Sequence, residues 1–108
     1  MDQQLHEFKA EFFKVLANPI RIRILEHLRF GDKYVHEIKD HLQIDSAVVS
    51  QQLSILRNKN IVIGIKEGNK VAYTIKDQTI FELLDVAKKI FNNHLIDTIN
   101  MLEKINNE

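Results

Sequence analysis

Residues 45–62 read DSAVVSQQLSILRNKNIV. Val49, Leu53 and Leu56 recur at the spacing of one helical face, the mark of a stripe turned toward a core. Around them stand Ser46, Ser50, Gln51, Ser54 and Arg57, and no acid occurs from Ser46 through Asn60. A solvated helix face is usually dressed in Glu and Lys, so hydroxyls and amides need another explanation. A helix that enters a DNA major groove has one face buried in its own domain and a slim polar face toward the base edges. Carboxylates on that face would meet the repulsion of the backbone phosphates.

Working outward from this helix, the chain organises around it. Upstream, Val35, Ile38 and Leu42 mark a short helix, and only three residues separate Leu42 from Ser46. The two helices must meet at a sharp angle, the spacing of a helix-turn-helix over about residues 34–59. Before it, ANPIRIRILEHLRFGD (17–32) offers Asn18 as an N-cap and Pro19 at the first helical position, where the missing N–H costs nothing. Ile20, Ile24, Leu25 and Leu28 share a face, and Gly31 supplies a left-handed residue after the helix. Over residues 3–17, Leu5, Phe8, Phe12 and Leu16 form one stripe, with Phe13 and Val15 beside it. Arg21 falls near an apolar stripe and reads as a structural residue.

Downstream the period changes. IVIGIKEGNKVAYTIKD (61–77) is rich in β-branched residues, and Gly68-Asn69 tolerate the positive φ of a tight turn, so residues 61–76 read as a β-hairpin. From about 78 to 105 the helical period returns without Gly or Pro. Leu84, Ala87, Phe91, Thr98 and Ile105 form one stripe; Leu83, Val86 and Ile90 form another, continued by Leu95, Ile99 and Leu102. A second stripe needs a second surface, and a symmetric partner supplies one.

Bulk properties set the frame. The chain has 108 residues, 44% hydrophobic and 28% charged, with one Pro and three Gly, which suits a single helix-rich domain over 1–108 and excludes a disordered chain. No apolar run approaches the ~20 residues of a bilayer crossing, and the acidic N-terminus lacks the basic region of a signal peptide. A cytoplasmic protein with no membrane partner is expected. The absence of Cys excludes disulfides and thiolate metal sites. Net charge is zero, but unevenly spread: residues 46–76 carry +4, residues 1–45 carry −1 and residues 77–108 carry −3.

The positive block therefore begins at the quoted helix. On it, Gln51 and Gln52 suit adenine edges, Ser46, Ser50 and Ser54 can donate to phosphates or bases, and Ala47 and Val48 can touch a thymine methyl. Arg57 reaches a phosphate or a guanine, and Lys66 and Lys70 flank a hairpin turn placed for phosphates. Taken alone, the helix also reads as an exposed amphipathic one, and lysines on a hairpin also discourage edge pairing; helix and hairpin together favour double-stranded DNA. No Ser-His-Asp grouping, nucleophile elbow or phosphate-cradling glycine loop occurs, so no enzyme is expected. His36 and Asp40, four apart on the short helix, read as solvated surface. A protein-interaction module on the same scaffold, and a metal sensor built on the histidines, are the alternatives.

Three strings, LANPIRIRILEHL (16–28), SAVVSQQLSILRNKNIV (46–62) and IKEGNKVAYTI (65–75), resemble the ArsR-type winged helix-turn-helix regulators over about residues 10–95. The resemblance implies a mainly α fold with a small β-hairpin, and a homodimer joined through its first and last helices. It implies a transcriptional repressor released by a metal ion or another effector, which the sequence leaves unidentified. It places Ser46 to Gln52 in the major groove and Lys66 to Lys70 at the wing tip, on a two-fold related operator with half-sites about one turn apart. The chain departs from the family's zinc-type pattern. HLID (94–97) offers His94 and Asp97 for its later half, but Phe81 and Leu83 stand where the earlier ligands fall. Half a site does not fill a tetrahedral zinc shell, so no cofactor is expected and His94 reads as a polar interface residue. Asn60 stands where the family often has glycine, and asparagine tolerates the same left-handed cap.

Overall fold

Asn18 opens the helix over Pro19–Leu28 as its composition predicts, its side-chain oxygen accepting from the backbone N–H of Ile20 (2.9 Å) and Arg21 (3.1 Å). The computed structural model describes residues 2–107. In chain order the elements are α1 (Asp2–Leu16), α2 (Pro19–Leu28), β1 (Lys33–Tyr34), α3 (Val35–Leu42), α4 (Ser46–Asn58), β2 (Val62–Glu67), β3 (Lys70–Ile75) and α5 (Thr79–Asn106). Residues up to Asp77 form one compact unit and residues from Gln78 another.

In the first unit, Ile24 and Leu25 of α2, Ile38 of α3, and Val49, Leu53 and Leu56 of α4 are fully buried, joined by Val62 of β2. These are the apolar positions of the helical stripes, and each buried branched side chain contributes about 1.5–3 kcal/mol relative to exposure. By contrast α1 sinks only Val15 and Leu16; Leu5, Phe8 and Phe13 stay exposed, Phe8 at 79%.

Two left-handed residues set the helix-turn-helix. Gln43 (φ 57) turns the chain sharply after α3, and Asn60 (φ 60) does so after α4. At Asn60 the N–H of Ile61 reaches the carbonyl of Leu56 (2.9 Å) and the N–H of Asn60 that of Arg57 (3.0 Å). This pair of bonds is a Schellman cap, and Ile61 and Leu56 are both buried beside it. Asparagine thus does there what the resemblance assigns to glycine. Asp45 is the N-cap of α4, without a side-chain bond.

The hairpin forms as expected, β2 and β3 pairing antiparallel from Val62 opposite Ile75 to Glu67 opposite Lys70. Its turn differs in detail: Gly68 has φ +61 but Asn69 does not enter the positive region, which suits a type II′ turn with glycine first. The sheet also has a third strand. β1 pairs with β3, Lys33 opposite Tyr73 and Tyr34 opposite Ala72, giving the order β1-β3-β2. Two residues are too short to show a period-2 pattern.

In the second unit, α5 runs 28 residues. Ile80 and Phe81 near its start are buried, and Leu83, Leu84 and Ala87 are half-buried. Beyond them Ile90, Phe91, Leu95, Ile96, Ile99, Met101, Leu102 and Ile105 are all more than half exposed. Among the described residues no helix is long and apolar enough to cross a membrane.

Candidate nucleic-acid interface

Burying Val49, Leu53 and Leu56 turns the other side of α4 outward. Ser46, Ala47, Ser50, Gln51, Ser54 and Arg57 are exposed, and Val48 is half-buried. The outward face therefore carries hydroxyls, an amide, a methyl and a guanidinium, with no carboxylate.

Gln52 stands apart from this group. It is half-buried, and its amide oxygen accepts from the Arg21 guanidinium of α2 at 2.8 Å. Arg21 also donates through Nε to the carbonyl of Val15 at 2.6 Å. One arginine thus ties the end of α1, α2 and α4 together, the structural role its place near an apolar stripe suggests. A second arginine, Arg23, donates to the carbonyl of Leu42 at 2.9 Å, where α3 ends.

At the wing, Lys66 and Lys70 are exposed on either side of the turn. Lys70 lies over the Tyr34 ring, its Nζ 5.1 Å from the ring centre. The Tyr34 hydroxyl donates to the carboxylate of Glu67. Glu67 is the one acid in the +4 segment, and this bond turns it onto the protein. A groove of about 430 Å³ opens between wing and helices, lined among others by His36, Lys39, Ser46 and Lys70.

Tyr34 is the residue that reading the sequence missed. A local signal exists: Glu37, three residues on, has the capping-box spacing, and its carboxylate accepts from the Tyr34 N–H at 3.0 Å. That backbone bond, above all, holds the Glu37 carboxyl below the usual glutamate range. The bond to Glu67 pushes the Tyr34 phenol up from its ordinary value.

The histidines separate into distinct settings. His36 stacks on Tyr34, ring centres 5.6 Å apart, and Asp40 lies 3.8 Å from Lys39. His27 of α2 stacks flat on His41 of α3, centres 4.0 Å apart. His94 and Asp97 are exposed on α5. Among the described residues no group of three or more His, Cys, Asp or Glu is placed to hold a metal ion.

Comparison with known proteins agrees with this geometry. Residues 18–63 match the family described as bacterial regulatory protein, arsR family. The HTH-type transcriptional regulator Rv0081 of Mycobacterium tuberculosis, itself uncharacterised, is 41% identical over 104 residues, spanning 95% of this chain and 91% of that protein. Its crystal structure superposes with a TM-score of 0.80 at 43% identity, covering 88% of this chain and 96% of that one. The solution structure of the homodimeric winged helix-turn-helix DNA-binding domain of Mb0332 from Mycobacterium bovis, a possible ArsR-family regulator, gives a TM-score of 0.76 at 26% identity over 86% of each chain. The proteins matched are regulators and not enzymes. With helix, turn, recognition helix and wing in place, and with a relative this similar over nearly its whole length, the chain belongs to the arsR family of winged helix-turn-helix transcriptional regulators.

Proposed function

We propose that this regulator binds duplex DNA as a homodimer and represses transcription from a two-fold related operator until a signal, not yet identified, releases it. In this reading Ser46, Ala47, Val48, Ser50 and Gln51 face base edges in the major groove, with Gln52 completing the set through its amide nitrogen. Ser54 and Arg57 meet the flanking backbone, and Lys66 and Lys70 hold phosphates on the wing side. The observation that carries it is the exposed, acid-free face of α4 beside an exposed lysine-bearing turn. Each good base contact is worth about 1–3 kcal/mol of discrimination.

The homodimer is supported separately by each unit. The first exposes a groove of about 930 Å³ along α1, lined by Leu5, Phe8, Phe12, Val15 and Ile61 together with Gln4, Glu7, Glu11 and Lys59. The second exposes the apolar side chains of α5. Uncovered surface of this extent marks an association site, and the Mb0332 domain is described as homodimeric.

Selection from a random duplex pool tests the proposal. The expected result is enrichment of a two-fold related sequence bound at least about 10³-fold more tightly than the starting pool. Equal binding of selected and unselected duplexes would overturn it.

A further inference from the structure

Tyr34 joins α3 to the wing through contacts that converge on one side chain. Its backbone is fixed twice: its N–H donates to Glu37 at 3.0 Å, and it pairs with Ala72 in the sheet. Its hydroxyl donates to Glu67 at the end of β2. Its ring carries the Lys70 ammonium, from the start of β3, at 5.1 Å. Glu67 and Lys70 face each other across the turn, so both strand ends at the wing tip rest on one tyrosine. His36 stacks on the same ring.

The charges explain why the contact matters. Residues 46–76 hold five cations and one anion, and the anion, Glu67, sits between Lys66 and the turn. Left to swing freely, its carboxylate would oppose the phosphates that the two lysines attract and would pair with the lysines themselves. A phenol hydroxyl holds the carboxylate without spending a cation on it, and the electron-rich ring face attracts the ammonium of Lys70.

We propose that Tyr34 is a positioning residue for DNA binding: it holds Glu67 away from the phosphates and seats Lys70 beside them, fixing the wing against the helix-turn-helix. This rests on the DNA-binding reading above and adds to it a residue that touches no base.

Two measurements test it. The first needs no DNA. The chain has two tyrosines and no tryptophan, so with Tyr73→Phe as background the ultraviolet absorbance reports Tyr34 ionisation alone. Adding Glu67→Ala is expected to bring the phenol titration down toward its ordinary range; an unmoved titration overturns the contact.

The second is a double-mutant cycle on the selected duplex, followed by anisotropy. Tyr34→Phe keeps the ring and loses only the hydroxyl. It is expected to weaken binding roughly three- to tenfold, and the penalty should disappear in the Glu67→Ala background. Wild-type binding left unchanged by Tyr34→Phe, or a penalty of the same size with and without Glu67, overturns the proposal alone. A wild-type chain that binds no duplex overturns the reading beneath it, and the proposal with it. Circular dichroism on each variant checks that the fold is intact, since Glu67 is exposed but Tyr34 and Tyr73 are half-buried.

Discussion

The guanidinium of Arg21 spans two elements at once, donating to the Val15 carbonyl at 2.6 Å and to the Gln52 amide oxygen at 2.8 Å. The partners lie on opposite sides of α2 in the chain, 6 residues before Arg21 and 31 after it. A charged donor makes such bonds worth about 1.5–3 kcal/mol each. Because the two bonds share one half-buried guanidinium and do not add in full, Arg21→Ala is expected to lower unfolding stability by about 2–4 kcal/mol, read from the urea midpoint. Gln52→Ala should lower it by about half as much. A change below 0.5 kcal/mol in Arg21→Ala, roughly the size of a neutral surface substitution, would show that the bonds contribute nothing.

Gln51 is the neighbouring amide without this tether; it is exposed. Gln51→Ala is expected to weaken binding to the selected duplex by about ten- to a hundredfold while leaving binding to unrelated DNA nearly unchanged. Competition anisotropy separates the two. Equal losses on both duplexes would remove Gln51 from base readout.

In the proposed complex Lys70 meets a phosphate. Lys70→Ala should weaken binding to all sequences alike and reduce the slope of log K against log salt by about 0.9. A parallel line displaced downward would show that the wing does not sit on the backbone.

How much of this was legible in the sequence follows from how far each interaction reaches along the chain. The α4 stripe, the Asn18 cap, the three-residue turn and the Asn60 cap are set by neighbours within one or two helical turns, so residue type and spacing reveal them. β1 was not legible because Lys33 and Tyr34 become a strand only through pairing with β3, some forty residues later. The engagement of Gln52 by Arg21 and of Glu67 by Tyr34 likewise joins residues 31 and 33 apart. Sequence periodicity placed Gln51 and Gln52 side by side on one helix. The one-residue step of about 100° turns the second toward α2.

Burial of His27 against His41 is expected to give stability a pH dependence. Both ring nitrogens of His27 are closed off from solvent and have no hydrogen-bond partner among the described residues. Burial first, then the charges of His41 and Lys33, push His27 below its ordinary value of 6.5, against the opposing pull of Glu37. Unfolding restores the ordinary value, so the unfolded chain binds more protons in this range. Stability from this group is complete above pH 6.5 and declines as the pH falls through 6.5 toward the folded value. Glu37, also held below its ordinary value, adds a second loss only near and below 4.5. Urea midpoints at about pH 7.5 and about pH 5.5 bracket the first range. The wild-type midpoint is expected to fall, and that of His27→Phe, which keeps a stacked ring without a titrating nitrogen, to fall less. Equal declines in both proteins would assign the effect elsewhere.

The central claim is that the uncharged outward face of α4 lies in the major groove of a two-fold related site. Hydroxyl-radical footprinting of the selected duplex at low salt, combined with dimethyl sulfate protection of guanine N7 in the major groove, addresses it most directly. Two protected tracts with half-sites about one helical turn apart are expected, with guanine N7 shielded inside each and a higher protein concentration needed for the same protection in Gln51→Ala. A continuous, sequence-independent pattern, or backbone protection with every N7 still reactive, would contradict it.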